Sequence, residues 1–173
     1  MTDGVLVAGI GNVFHRDDGF GVEVAQRLLS RGGLPGHVTV VDVGIRGIDL
    51  AYRLLDGWTG CVLVDALEGD GPPGSLYRLE HTWDGPAARP ARGVSLDGHD
   101  IGPDVVLGLL RELADATGVA DPVGRILVLG CEPADTTPGM GLSAPVTAAV
   151  ELAADAVAGL VELIVGEGQE AHP

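Results

Sequence analysis

Short apolar runs rich in β-branched residues alternate along this chain with longer stretches whose apolar residues recur at helical spacing. That alternation is the signature of successive βα units and a mostly parallel sheet. Strands are predicted over residues 5–10, 38–43, 61–64 and 125–129. Val22, Ala25, Leu28 and Leu29 place a helix over residues 18–30, which Gly32, Gly33 and Pro35 terminate. Leu50, Ala51, Leu54 and Leu55 mark a second, short helix; two more are expected over 101–117 and 143–165, the last with Ser143 as N-cap. Residues 75–79 follow the turn Gly71-Pro72-Pro73-Gly74 and alternate apolar with polar, which predicts an added antiparallel strand at a sheet edge. The expected chain order is β-α-β-α-β-β-α-β-α.

The 173 residues suit one domain, expected over 1–165, with 166–173 as a frayed tail. Hydrophobic residues make up 46% of the chain but aromatics only 3%, so Val, Leu, Ile and Ala must fill the core. Such side chains suit layered α/β packing. The stretch 81–98 is rich in Pro, Gly, Ala and Arg without a hydrophobic period, and a loop of that length in a compact domain is usually functional or mobile.

A formal charge of −15 repels phosphate backbones and anionic headgroups, so nucleic acid is not an expected partner. Every one of the 10 basic residues is Arg. The absence of lysine removes a Walker-type lysine, a Schiff-base lysine and a lysine general base. Cys61 and Cys131 lie in or beside apolar runs without C-x-x-C spacing and read as buried small residues. No apolar stretch approaches the roughly 20 residues of a membrane span and no basic leader precedes the first strand, so a cytoplasmic protein is expected.

In open parallel sheets ligands bind beyond the carboxyl ends of the strands. On that rim the sequence puts Asp17 and Asp18 after the first strand, Asp42 near the end of the second, Asp65 after the third and Glu132 after the last; His99 begins the third major helix. Acidic groups crowded on one rim raise one another's pKa unless a cation joins them. Two carboxylates and an imidazole make an incomplete N,O shell suited to nickel, zinc or iron, with positions left open. Simpler roles exist for each: Asp18 as a helix cap, His99 as an exposed loop residue, Asp42 as an acceptor for amides of the next loop. Asp65 beside the core needs a partner. His15 is a competing imidazole near Asp18.

Gly9-Ile10-Gly11 starts like a dinucleotide fingerprint, but position 14 is Phe14 and the pattern fails. Neither G-x-S-x-G nor H-E-x-x-H occurs, so a serine hydrolase elbow and a zincin helix are unsupported.

The run from Gly9 through Gly-Asn, the acidic pair Asp17-Asp18 and Gly19-Phe20-Gly21 closely resembles the N-terminal signature of the hydrogenase maturation proteases. Val62-Leu63-Val64-Asp65-Ala66 resembles that family's second acidic motif, Gly44-Ile45-Arg46-Gly47 its glycine-rich loop, and His99 its metal-binding histidine. The similarity spans nearly the whole chain. It implies an α/β three-layer sandwich, with a mostly parallel twisted sheet of about five strands flanked by helices. It also implies an endopeptidase that removes a C-terminal extension from the large-subunit precursor of a nickel–iron hydrogenase. Asp18, Asp65 and His99 would contact nickel carried by that precursor rather than bound permanently, and Asp18 and Asp65 would be the catalytic carboxylates. Ser95-Leu96-Asp97-Gly98 before the histidine departs from the family's compact small-polar lead-in. The rival readings are a non-catalytic nickel-sensing chaperone of the same precursor and, less favoured by Phe14, a nucleotide-binding oxidoreductase.

Overall fold

The computed structural model describes residues 2–82 and 101–170. Five strands form one sheet: β1 (Thr2–Ile10), β2 (Val38–Gly44), β3 (Trp58–Ala66), β4 (Leu76–His81) and β5 (Val123–Cys131). Their order is β2-β1-β3-β5-β4, with every neighbouring pair parallel except β4, which runs antiparallel to β5 at the edge. The helices are α1 (Phe20–Arg31), α2 (Gly47–Leu54), α3 (Pro103–Thr117) and α4 (Ala144–Glu170).

The central strands are apolar at nearly every position because both faces are covered. Along β1, Val5 and Val7 pack into one core with Phe20, Val24 and Leu28 of α1 and the Ala-rich face of α4. Leu6, Ala8 and Ile10 point the other way, into a second core with Leu50 and Leu54 of α2 and Val106 and Leu110 of α3. The same alternation holds for Val62 and Val64 against Cys61 and Leu63 in β3. Three layers follow: α1 and α4, the sheet, then α2 and α3. Both cysteines are free thiols buried in these cores, as their apolar settings predicted.

Several ends differ from the expectation. Residues 16–19 form a separate 3-10 turn before α1, so Asp18 lies ahead of the α-helix rather than in it. Strands β3 and β5 are each longer than their β-branched centres, since Trp58 pairs with Thr2 of β1 and with Val123 of β5. Helix α4 continues to Glu170, beyond the expected end at residue 165, and 171–173 lie outside the described residues. Most of the expected 81–98 loop and His99 also lie outside them.

The chain leaves β1 for β2 on one side and returns to β3 on the other, so the loops after β1 and β3 diverge. This switch point is where a doubly wound sheet opens a crevice. Helix α1 comes unusually close to it: a Cβ on Gly21 would run into the Val64 and Ile10 carbonyl oxygens, and one on Gly9 would meet the Gly21 carbonyl and lie 2.7 Å from the Ala25 Cβ. Two facing glycines therefore let the start of α1 rest on the ends of β1 and β3.

Candidate active site

The loop after β1 is folded by its own polar groups. Gly11 adopts φ 144°, and a Cβ there would collide with the Asp18 carbonyl oxygen. That region favours glycine. Asn12 Oδ1 accepts the Phe14 amide at 3.0 Å, while the Asn12 and His15 carbonyls accept the His15 and Asp18 amides. Asp18 closes the loop by accepting the Asn12 amide through Oδ2 at 3.0 Å. Its carboxylate thus brackets the loop after β1, and α1 begins on Gly19 without any side-chain cap.

Asp65 lies at the matching place on β3. Gly9 pairs with Val64, which sets Asp65 level with Ile10 at the end of β1. Gly21, three residues after Asp18, touches the Val64 and Ile10 carbonyls. The sheet register and the start of α1 therefore bring the Asp18 turn and Asp65 to one edge of the switch point. Asp65 is only 5% exposed, more buried than a rim position suggests, and its Oδ1 accepts the Ala66 amide at 2.8 Å. A Cβ on Gly102, ahead of α3, would sit 3.6 Å from its Oδ2, so the glycine leaves room beside the carboxylate. His99, the third expected member, is outside the described residues, and among those described no three His, Cys, Asp or Glu side chains are grouped to hold a metal ion.

The other rim acids resolve their crowding without a shared cation. Asp42 accepts Gln26 Nε2 at 3.1 Å, a side chain of α1 rather than amides of its own loop. Asp17, fully buried, accepts four hydrogen bonds: the Ala134 and Asp135 amides at 2.8 and 3.0 Å, and the Ser143 amide and hydroxyl at 2.7 and 2.8 Å. Burial alone would push its pKa up, but these donors outweigh it and hold the carboxyl below 3.8. Ser143 stands directly before α4 as expected, yet its hydroxyl serves Asp17 instead of the helix amides.

The final loop is pinned to the Asp18 turn by further bonds. The Asp17 amide reaches the Asp135 carbonyl at 3.1 Å, and Arg16 and Gly139 exchange amide bonds with Gly139 and Phe14. His15 Nδ1 lies 3.3 Å from the Thr136 carbonyl, which makes this imidazole an anchor of the loop. Glu132, 9% exposed, accepts the Gly69 amide at 2.6 Å and the Tyr77 hydroxyl at 2.7 Å. That bond to Glu132, together with burial, raises the Tyr77 phenol above 10.0. Position after a strand marked Asp17 and Glu132 as rim acids; their partners, far away in sequence, were not foreseeable.

This is a doubly wound α/β protein with two aspartates at its switch point, the place where such folds bind ligands. The sequence pattern described as hydrogenase maturation protease matches residues 22–160. The chain is 30% identical over 131 residues to the hydrogenase expression/formation protein HupD of Rhodobacter capsulatus, covering 76% of this chain and 58% of that relative. It thus spans under two thirds of that protein's length. A protein of Methanocaldococcus jannaschii assigned as a hydrogenase maturation protease is 30% identical over 94% of this chain and 95% of its own. Among solved structures, a hydrogenase 2 maturation peptidase from a Thaumarchaeota archaeon shares 34% identity with a TM-score of 0.67 over 93% of this chain and 99% of that one. The hydrogenase maturating endopeptidase HybD from E. coli shares 26% with a TM-score of 0.69, over 89% of each chain. This chain belongs to the hydrogenase maturation protease family, a family of hydrolases.

Proposed function

We propose that this protein is the endopeptidase that removes the C-terminal extension of a nickel–iron hydrogenase large-subunit precursor after nickel insertion. It recognises the precursor's nickel through Asp18, Asp65 and His99. The observation that carries the reading is the meeting of the Asp18 turn and Asp65 at one edge of the switch point. Two carboxylates and an imidazole leave coordination positions for the precursor's own ligands, so the ion arrives with the substrate.

Nickel held between substrate and enzyme fixes the scissile bond and polarises its carbonyl or the attacking water. One carboxylate, Asp18 or Asp65, takes the proton that water loses as it adds to the carbonyl carbon. The C–N bond then breaks and the departing amine takes up the proton that this carboxylate holds. A covalent acyl-enzyme has no support in a chain with no lysine and no recognisable nucleophile motif. Among the described residues no helix is long and apolar enough to cross a membrane, which accords with action on a newly made cytoplasmic precursor.

The test is incubation of pure protein with nickel-loaded and nickel-free precursor, with the mass of the large subunit as readout. Shortening of the loaded precursor alone is the expected result. A nickel-sensing chaperone would bind the loaded precursor and leave its mass unchanged.

A further inference from the structure

Beyond the carboxyl end of β5 lies a crevice of about 200 Å³, lined by Glu68, Gly69, Glu132 and the run 133–136. Glu132 is more than nine-tenths buried, and both of its side-chain hydrogen bonds fall on one oxygen, Oε2. Oε1 has no hydrogen-bond or ion-pair partner among the described residues, and it is not sealed from solvent, because no buried side-chain oxygen among the described residues lacks a partner. The other acids differ. Glu68 is exposed, and Asp135 already accepts the Thr137 amide and hydroxyl and pairs with Arg16 at 3.5 Å. Arg16 is engaged by Asp135 and lies against Gly139. The crevice therefore has three carboxylates at its walls, one of them buried with an open oxygen that no cation among the described residues meets.

A buried carboxylate with unused acceptor capacity is costly unless something completes it. The group that completes it best is a donor with positive charge, since charge-assisted hydrogen bonds are about twice as strong as neutral ones. A hard divalent ion is a poorer occupant, because it needs several oxygens converging on one point, and among the described residues no three His, Cys, Asp or Glu side chains are grouped in that way. The crevice is also tied to the Asp18 turn: its 133–136 wall is bonded to residues 15–17, next to Asp18.

We propose that this crevice is a specificity subsite that takes a cationic side chain, arginine or lysine, of the polypeptide brought to the Asp18–Asp65 edge, with Glu132 Oε1 as its acceptor. The subsite rests on the peptidase reading for the source of that side chain, but not for its chemistry.

The experiment follows the amide resonances of the isotope-labelled full chain during titration with N-acetyl-arginine amide, N-acetyl-lysine amide and the neutral N-acetyl-citrulline amide. The cationic probes should shift the Gly69 resonance saturably and bind at least about tenfold more tightly than citrulline, the size of one charge-assisted hydrogen bond. Glu132→Gln keeps an oxygen for the Gly69 and Tyr77 donors and should abolish the preference. Equal responses to arginine and citrulline in the unaltered protein, or none at Gly69, would overturn the subsite without recourse to any variant. With nickel-loaded precursor, Glu132→Gln should raise KM about tenfold and leave kcat within about twofold. An unchanged KM would also overturn it. If the unaltered protein discriminates arginine from citrulline but leaves the precursor uncut, the subsite stands and the peptidase reading fails.

Discussion

Asp17 and Ser143 stand 126 positions apart, yet the Ser143 amide and hydroxyl donate to the two oxygens of the Asp17 carboxylate at 2.7 and 2.8 Å. With the Ala134 and Asp135 amides, this fully buried carboxylate fastens the turn that carries Asp18 to the last loop and the start of α4. The Asp18 edge is thus positioned by a neighbour of Asp18 whose charge faces inward.

Asp17→Ala leaves three backbone amides without acceptors in a buried place and should cost about 3–5 kcal/mol of stability. Urea unfolding checks this. Because the folded pKa lies below the ordinary 3.8, the stabilisation is present above the unfolded value and is lost as pH falls through the folded one. The unfolding midpoint should therefore drop on acidification below about pH 4, and Asp17→Asn should show a shallower drop over the same interval.

Gly21→Ala and Gly9→Ala place a Cβ against backbone oxygens of Val64, Ile10 and Gly21, which cannot yield as a flexible side chain would. Each should destabilise by about 1–3 kcal/mol or more, and each should slow processing beyond the loss of folded protein by displacing the Asp18 turn. Thermal unfolding compared with activity per folded molecule separates the two effects.

Much of this arrangement was legible in the sequence, and the reasons are local. The apolar runs marked β1, β2, β3 and β5, the central ones because a strand buried on both faces needs apolar residues at every position, and the alternation at residues 75–79 marked β4 as an edge. Asp18 and Asp65 stood out because each follows a run expected to be a strand, although β3 in fact continues through Asp65 to Ala66. What stayed hidden depended on distant partners. No feature near Asp17 announces donors from Ala134, Asp135 and Ser143, and Asp42 finds Gln26 on a helix rather than its own loop. The repulsion expected among rim acids was misjudged for the same reason, since backbone amides and a tyrosine hydroxyl, groups without sequence identity or with no spacing rule, satisfy Asp17 and Glu132.

The two imidazoles should separate by role. His15 anchors the last loop through the Thr136 carbonyl, so His15→Ala should keep most processing activity and lose no more than about 1 kcal/mol of stability. His99→Ala should abolish processing with circular dichroism unchanged. Loss of processing in the His15 variant alone would reverse the assignment.

Three protein ligands with open positions should hold nickel weakly without the precursor. Elemental analysis of the purified protein should find well under one equivalent of nickel or zinc. A stoichiometric, chelator-resistant zinc would mark an ordinary metallopeptidase instead.

The central claim is that Asp18 and Asp65 act together on a nickel-bearing precursor. Asp65→Asn preserves the shape of a side chain that is 5% exposed and removes its charge, and it should fold with a midpoint close to that of the unaltered protein. The decisive measurement is the single-turnover rate of precursor shortening, followed by mass spectrometry, for the unaltered protein, Asp18→Asn and Asp65→Asn on nickel-loaded and nickel-free precursor. The account predicts cleavage of the loaded precursor alone, slowed by roughly a hundredfold or more in either variant. Cleavage of both precursors at one rate, or an unchanged rate in folded Asp65→Asn, would contradict it.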